Sequence, residues 1–216
     1  SACPPELKRR LHAWAGASSV WEFYGSTEGQ FAACSGPQWE SRPGTLGLPR
    51  QGRRLFIDEG VIWCETPDYS RFEYWQDPEK TAAAWRPTVD GGSAFTVGDL
   101  GRLDEDGYLF LDGRREDLII TGGMNVYPAH VEAVLSAVDG VAEIAVFGVD
   151  DDLWGQRVCA AVVGSASDEA INAAGTAHLA GYQRPKVIYR LTELPRNAMG
   201  KIQRLELPRH LAIDPD

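Results

Sequence analysis

The sequence predicts an α+β fold in two parts, on three observations. Short apolar and aromatic runs, broken by Gly, Asp and Glu turns, fill the chain up to residue 112. From residue 113 onward, apolar runs alternate with stretches of helical spacing, as in a small α+β domain with its own core. The 216 residues are 44% hydrophobic and 24% charged, which supplies enough apolar surface for packing and argues against disorder. The expected division is therefore 1–112 and 113–216.

Each element has a local reason. Pro5 to Ala15 reads as a helix, with Pro at its start, Leu7, Leu11 and Trp14 at helical spacing, and Gly16 as a stop. Ser19 to Tyr24 is rich in β-branched and aromatic residues and reads as a strand ending in the polar loop Gly25 to Gly29. Arg53–Asp58 and Val61–Thr66 read as strands joined at Glu59-Gly60. A short helix follows Pro78, from Glu79 to Trp85. Strands are expected at Ala94–Leu103 and Tyr108–Leu111, around the turn Asp104 to Gly107. The second part begins with a strand at Leu118–Thr121 and a Gly122-Gly123 turn. A helix over Pro128–Ala137 follows, with Val131, Val134, Leu135 and Val138 on one face. Strands at Val141–Val149 and Val158–Val163, a helix at Glu169–Ala180, a strand at Val187–Leu191 and a short helix around Pro208 complete it.

Composition excludes several roles. A net charge of −10 argues against coating a nucleic acid, which needs a basic face. No run approaches the roughly 18 apolar residues of a membrane span. Ser1 to Arg10 lacks an apolar signal core. The four cysteines are scattered, with no C-x-x-C pair, which fits a reducing cytoplasm and not a zinc ribbon. The four histidines are dispersed as well, and no H-E-x-x-H occurs.

Three polar constellations fall where loops should be. In Tyr24-Gly25-Ser26-Thr27-Glu28 a strand delivers a ring, a glycine, hydroxyls and a carboxylate. The hydroxyls suit a phosphate and the carboxylate a Mg²⁺ held between phosphates, although an ordinary loop would look the same. Gly98-Asp99-Leu100-Gly101 sets a carboxylate between glycines, suited to ribose hydroxyls, and Arg114 follows at the seam between the parts. A solvated, salt-bridging turn would carry the same residues. Leu194 to Ile202, LPRNAMGKI, projects Lys201 from a loop, suited to an anionic reaction centre, yet equally a surface lysine.

Together and in order, YGSTEG, GDLG, GRREDLIITGGMNVYPAHVE and LPRNAMGKIQR closely resemble the adenylate-forming superfamily of acyl- and aryl-CoA synthetases, adenylation domains and luciferases. The resemblance runs through essentially the whole chain. It implies the C-terminal part of that fold: a β-rich end of the large AMP-binding domain, then a small mobile α+β domain. It also implies an enzyme that joins a carboxylic acid to AMP, using ATP and Mg²⁺, and passes the acyl group to CoA.

By this resemblance Tyr24 stacks on adenine with Gly25 beside it, Thr27 contacts phosphate, and Glu28 helps hold Mg²⁺. Asp99 binds the ribose, Arg114 contacts the nucleotide, and Lys201 bridges carboxylate and phosphate during adenylation. Glu116 stands at the pivot of the small domain, where Asp or Lys is usual. The GGMN turn, Gly123 included, lines the thiol tunnel after rotation. Trp154, with Tyr182, Arg184 and Lys186, matches positions that meet the CoA nucleotide in some ligases, and a packed Trp beside a solvated basic loop fits equally. His130 stands where many relatives carry Glu, a change expected to affect packing, while Glu132 is kept.

The family's upstream phosphate loop, rich in Ser, Thr and Gly, is not in this sequence, nor is most of its acyl pocket. The chain is therefore expected to be the C-terminal portion of a synthetase and inactive alone. Residues 1–112 are expected to need the N-terminal portion, or self-association, to cover their apolar faces. Two alternatives stand beside a CoA ligase: a stand-alone adenylation enzyme loading a carrier protein, and a non-catalytic nucleotide-binding module.

Overall fold

The chain is seen here in a computed structural model describing Cys3 and residues 5–213. It begins with helix α1 (Pro5–Ala15), as its Pro and apolar spacing predict. The face it buries is the unexpected one. Lys8 and His12 turn inward, while Leu7, Leu11 and Trp14 are exposed, Trp14 by 84%. Lys8 pairs with Glu22 and lies over the Trp39 ring. His12 Nδ1 lies 3.0 Å from Glu40 Oε1, and its ring meets Trp39 edge-on. The apolar stripe of α1 thus faces away from the unit it belongs to.

A 3₁₀ turn at Ala17–Ser19 precedes β1 (Trp21–Gly25), so the strand starts two residues later than the sequence suggests. It forms an antiparallel, three-stranded sheet in the order β1, β2 (Gln30–Ser35), β3 (Leu48–Pro49), with the short helix α2 (Gly36–Ser41) between the last two. A capping box of Ser35 and Gln38 starts α2. The next sheet contains β4 (Arg54–Asp58), β5 (Val61–Thr66), β6 (Trp85–Pro87), β7 (Ser93–Phe95), β8 (Asp99–Leu103) and β9 (Leu109–Arg114). Its hub is β5, which pairs with β4, β7 and β8. Helix α3 (Pro78–Ala84) is capped by Asp77, which accepts from the Lys80 amide.

The run expected as one strand over 94–103 is two strands. The chain turns at Gly98 (φ 78°), whose amide donates to Thr96 Oγ1, and this break sets Asp99 at the start of β8. Beneath both sheets lies an aromatic core in which Phe31, Phe95, Phe72 and Trp85 touch in succession.

The chain divides into two units between Arg115 and Glu116, three residues beyond the expected 112/113. The second unit has β10 (Ile119–Thr121), β11 (Met124–Val126), α4 (Pro128–Leu135), β12 (Val141–Asp151), β13 (Gly155–Gly164), α5 (Asp168–His178), β14 (Val187–Arg190) and α6 (Leu207–His210). Its sheet runs β11-β10-β13-β12, and β14 also pairs with β13, in parallel. Both faces are covered, which explains the near-continuous apolar runs of β12 and β13. Ile144 and Val146 pack with Val131, Leu135 and Ile171 of α4 and α5. Ala145, Phe147 and Val149 pack with Leu194 and Leu207 on the other face. No helix among the described residues is long and apolar enough to cross a membrane.

Candidate nucleotide site and the lysine loop

Strand alternation brings Tyr24 to the inner side of β1, where its ring lies 5.1 Å from that of Phe31. Its hydroxyl donates to Asp99 Oδ2 at 2.5 Å. Arg114 Nε lies 3.2 Å from Asp99 Oδ1, because β8 and β9 pair Asp99 directly with Arg114. Burial, then the Asp99 charge and hydrogen bond, push the Tyr24 phenol far above its ordinary pKa. Tyr24 and Asp99, 75 residues apart in sequence, thus form one contact chain with Arg114.

The loop after β1 carries the second half of the site. Gly25 leaves no room for a side chain: a Cβ there would lie 2.7 Å from the Gly29 carbonyl oxygen. Glu28 accepts from Thr27 Oγ1 at 3.0 Å and from Tyr74 Oη at 2.9 Å. Burial raises its pKa, but hydrogen bonding, with Tyr74 and Thr27 among the donors, outweighs that and holds it at about 2. Tyr74 is pushed up to about 12 by burial and by Glu28. The sequence reading missed Tyr74. The only signal for it was an aromatic residue in the stretch before Pro78. Arg114 acts electrostatically on both Tyr24 and Tyr74, which ties the two halves together. Beside the loop opens a cleft of about 470 Å³, lined by Ser26, Thr27, Gln30, Arg50 and Arg53 among others.

No cluster of three or more His, Cys, Asp or Glu side chains suited to a metal exists among the described residues. Glu28 is a single carboxylate that stays ionised at any ordinary pH, with lone pairs beyond the two it uses. That donor set fits Mg²⁺, which takes one or two carboxylates and otherwise relies on phosphate and water.

The remaining predicted residues belong to the second unit. Gly122 (φ 56°) and Gly123 (φ 77°) make the two-residue turn between β10 and β11. Trp154 packs on that turn: a Cβ on Gly122 would lie 2.9 Å from its indole, and its carbonyl accepts the Gly122 amide at 2.8 Å. Arg184 donates to the Leu179 and Thr176 carbonyls at the end of α5, and Lys186 Nζ to the Gly181 carbonyl. None of these contacts involves Trp154, so the structure groups Trp154 with the glycine turn and the two cations with the end of α5.

Lys201 is exposed at the end of a tight loop. Asn197 Oδ1 accepts the amides of Met199 and Lys201, both at 3.0 Å, and Arg196 and Ile202 bridge its base. Glu116 is exposed in the 3₁₀ turn Arg115–Asp117 at the division between units. Arg204, unnoticed in the sequence, holds Asp117 at 2.5 Å and Glu132 at 2.8 Å, while Glu132 also accepts the Val146 amide at 2.7 Å. His130 is exposed, so the expected effect on packing does not arise there; on this helix it is Glu132 that ties elements together, through the Val146 amide and Arg204.

The first unit thus carries Tyr24, Asp99 and the Thr27-Glu28 loop, and the second carries Lys201 on a loop of its own. Residues 130–201 match the family model described as the AMP-binding enzyme C-terminal domain. A 2-succinylbenzoate–CoA ligase of Geobacillus sp. (strain WCH70) is 39% identical over 87% of this chain and 40% of its own length. The long-chain-fatty-acid–CoA ligase FadD13 of Mycobacterium tuberculosis is 42% identical over 60% of this chain and 25% of its own. The solved o-succinylbenzoate CoA synthetase of Bacillus subtilis, in complex with its acyl-adenylate intermediate, superposes with a TM-score of 0.85. It is 30% identical over 96% of this chain and 44% of that one. Other structures of that enzyme hold AMP, or ATP and magnesium ion. The chain belongs to the adenylate-forming family, as its C-terminal portion. It spans about 40% of the length of the curated 2-succinylbenzoate–CoA ligases it matches.

Proposed function

We propose that the chain is the C-terminal portion of an AMP-forming acid–CoA ligase. Such an enzyme activates a carboxylic acid with ATP and hands the acyl group to CoA. The observation that carries this reading is the Tyr24–Asp99–Arg114 contact chain beside an ionised Glu28. It supplies a ring for adenine, a carboxylate for ribose hydroxyls and a guanidinium for phosphate or ribose. The relatives named above add support, since their names are those of CoA ligases.

In the first half-reaction a carboxylate oxygen bonds to the α-phosphorus of ATP and diphosphate leaves. Thr27 holds a phosphate oxygen through its hydroxyl. Lys201, a flexible cation on its own loop, neutralises charge between carboxylate and phosphate. Magnesium, when bound, offsets negative charge on the phosphates, with Glu28 as its protein anchor. In the second half-reaction the thiol sulfur bonds to the acyl carbonyl carbon and AMP leaves. The C-terminal unit turns about Glu116 between the two, bringing the Gly122-Gly123 turn and Trp154 to the thiol, with Arg184 and Lys186 offered to CoA phosphates. A cytoplasmic location fits the free cysteines.

The test is ATP–pyrophosphate exchange by the complete enzyme. Lys201→Ala should depress exchange strongly while leaving transfer from preformed acyl-AMP to CoA in place, and Asp99→Ala should weaken nucleotide binding. Unchanged exchange in both variants refutes the reading. The isolated 216-residue chain is expected to exchange little or not at all.

A further inference from the structure

We propose that the cleft beside Ser26 and Thr27 is an oxyanion subsite built on Arg50 and Arg53. Its ligand is a carboxylate or phosphate group, and the chain's charge pattern is the first reason. The protein has 31 acidic residues and a net charge of −10, yet none of the described residues lining this cleft is acidic. The lining is two guanidiniums, two hydroxyls and the amides of Gln30 and Gln51. A cleft lined by one sign of charge focuses its field and concentrates counter-ions.

The second reason is that both arginines are held in place by neutral groups. Arg50 donates to Gln30 Oε1 and lies 5.3 Å from the Phe23 ring centre. Arg53 donates to Thr66 Oγ1 at 2.8 Å and lies against Cys64 Sγ at 3.9 Å. Among the described residues neither forms an ion pair, whereas Arg42, Arg54, Arg86, Arg190, Arg196 and Arg204 all do. A guanidinium carries five donors, so each keeps donors and a full charge for a ligand. The cleft volume of about 470 Å³ admits a diphosphate or a small dicarboxylate.

The identity of the ligand rests on the proposed function. Thr27, which that reading sets against phosphate, lines the same cleft. Two sources then share the chemistry: the diphosphate released by adenylation, and the second carboxylate of a dicarboxylic substrate.

NMR titration of this chain with sodium pyrophosphate and, separately, glutarate at constant ionic strength tests the subsite. At least one should give saturable shifts at residues 26–30 and 50–53, and which one does names the source. Arg50→Gln should weaken binding about tenfold, the effect of removing one charge-assisted hydrogen bond. Arg50→Gln with Arg53→Gln should abolish it, and Arg54→Gln, outside the cleft, should leave it unchanged. Arg50 is exposed, so its single variant stays informative if loss of Arg53 disturbs folding. No saturable shift with either anion, or equal affinity in Arg50→Gln, overturns the proposal. Exchange activity of the complete enzyme separates the two readings: normal exchange with no anion binding here refutes the subsite alone. Anion binding with no exchange refutes the ligase reading alone.

Discussion

Replacing Arg204 by Met keeps the aliphatic stem and deletes the charge that joins three elements of the second unit. Its guanidinium binds Asp117 just before β10 and both oxygens of Glu132 on α4, and all three side chains are only 18–19% exposed. Each charge-assisted hydrogen bond of this kind contributes about 1.5–3 kcal/mol. Breaking a fully buried pair costs about 3–5 kcal/mol, because the partner's charge is left uncompensated. Water reaches a fifth of these side chains and will resolvate part of the loss, so about 2–4 kcal/mol is expected. Glu132 keeps its bond from the Val146 amide, so the damage should reach the centre of the sheet. Native-state hydrogen exchange in the full chain reads this directly. Amides of β12 and β13, such as Val146 and Ala160, should exchange roughly thirty- to a thousandfold faster. A change under about 0.5 kcal/mol, the size of an ordinary surface substitution, or one confined to Val146, would refute the idea that Arg204 fastens the unit.

Hydrogen bonding holds the Glu28 carboxyl at about 2 in the folded chain, below the ordinary 4.5, so its ionised form stabilises the fold above the unfolded value. That contribution is lost as pH falls from about 4.5 through about 2. A carboxyl carbon titration that finds an ordinary midpoint for Glu28 sinks the claim. Gly122→Ala places a methyl against the Trp154 ring at positive φ, and about 1–2 kcal/mol of strain should appear as a lowered unfolding midpoint with altered Trp154 fluorescence. An unshifted midpoint and spectrum would show that the turn does not need glycine there. Limited proteolysis should cut the first unit faster than the second. A more resistant N-terminal half would contradict the account of its uncovered faces.

Where local chemistry decides, the sequence was sufficient. α1, β4, β5 and the Gly122-Gly123 turn follow from a Pro start, two short runs joined at Glu59-Gly60 and a two-glycine turn, and they lie where expected. The motif residues of the first unit were legible as a set through their resemblance to a family. Their connection was not, because Tyr24 meets Asp99 only through pairing of distant strands. Tyr74 and Arg204 gave no local sign, since each matters through a carboxylate far along the chain. The inward face of α1 was misleading for a related reason. Periodicity reports that a helix has an apolar side, and does not say which neighbour that side is meant for.

That side bears on the site itself. Trp21 and Phe23 on the outer face of β1 are each 56% exposed, and Leu7, Leu11 and Trp14 lie bare on α1. β1 is also an edge strand, with β2 on one side only. Fully burying a large apolar side chain contributes about 1.5–3 kcal/mol, so covering these five would add on the order of 10 kcal/mol at most. That rivals the roughly 5–15 kcal/mol by which whole domains are stable. The upstream part of the proposed ligase is the natural cover, given that the chain spans about 40% of its relatives. Tyr24 shares β1 with those rings, pointing inward to Asp99 while Phe23 points outward. An uncovered β1 is free to fray, and fraying separates Tyr24 from Asp99. Nucleotide affinity should therefore rise when the outer face of β1 is covered, even by a segment that touches no nucleotide. An upstream segment that protects the β1 amides from exchange yet leaves AMP affinity unchanged would break this link between packing and binding.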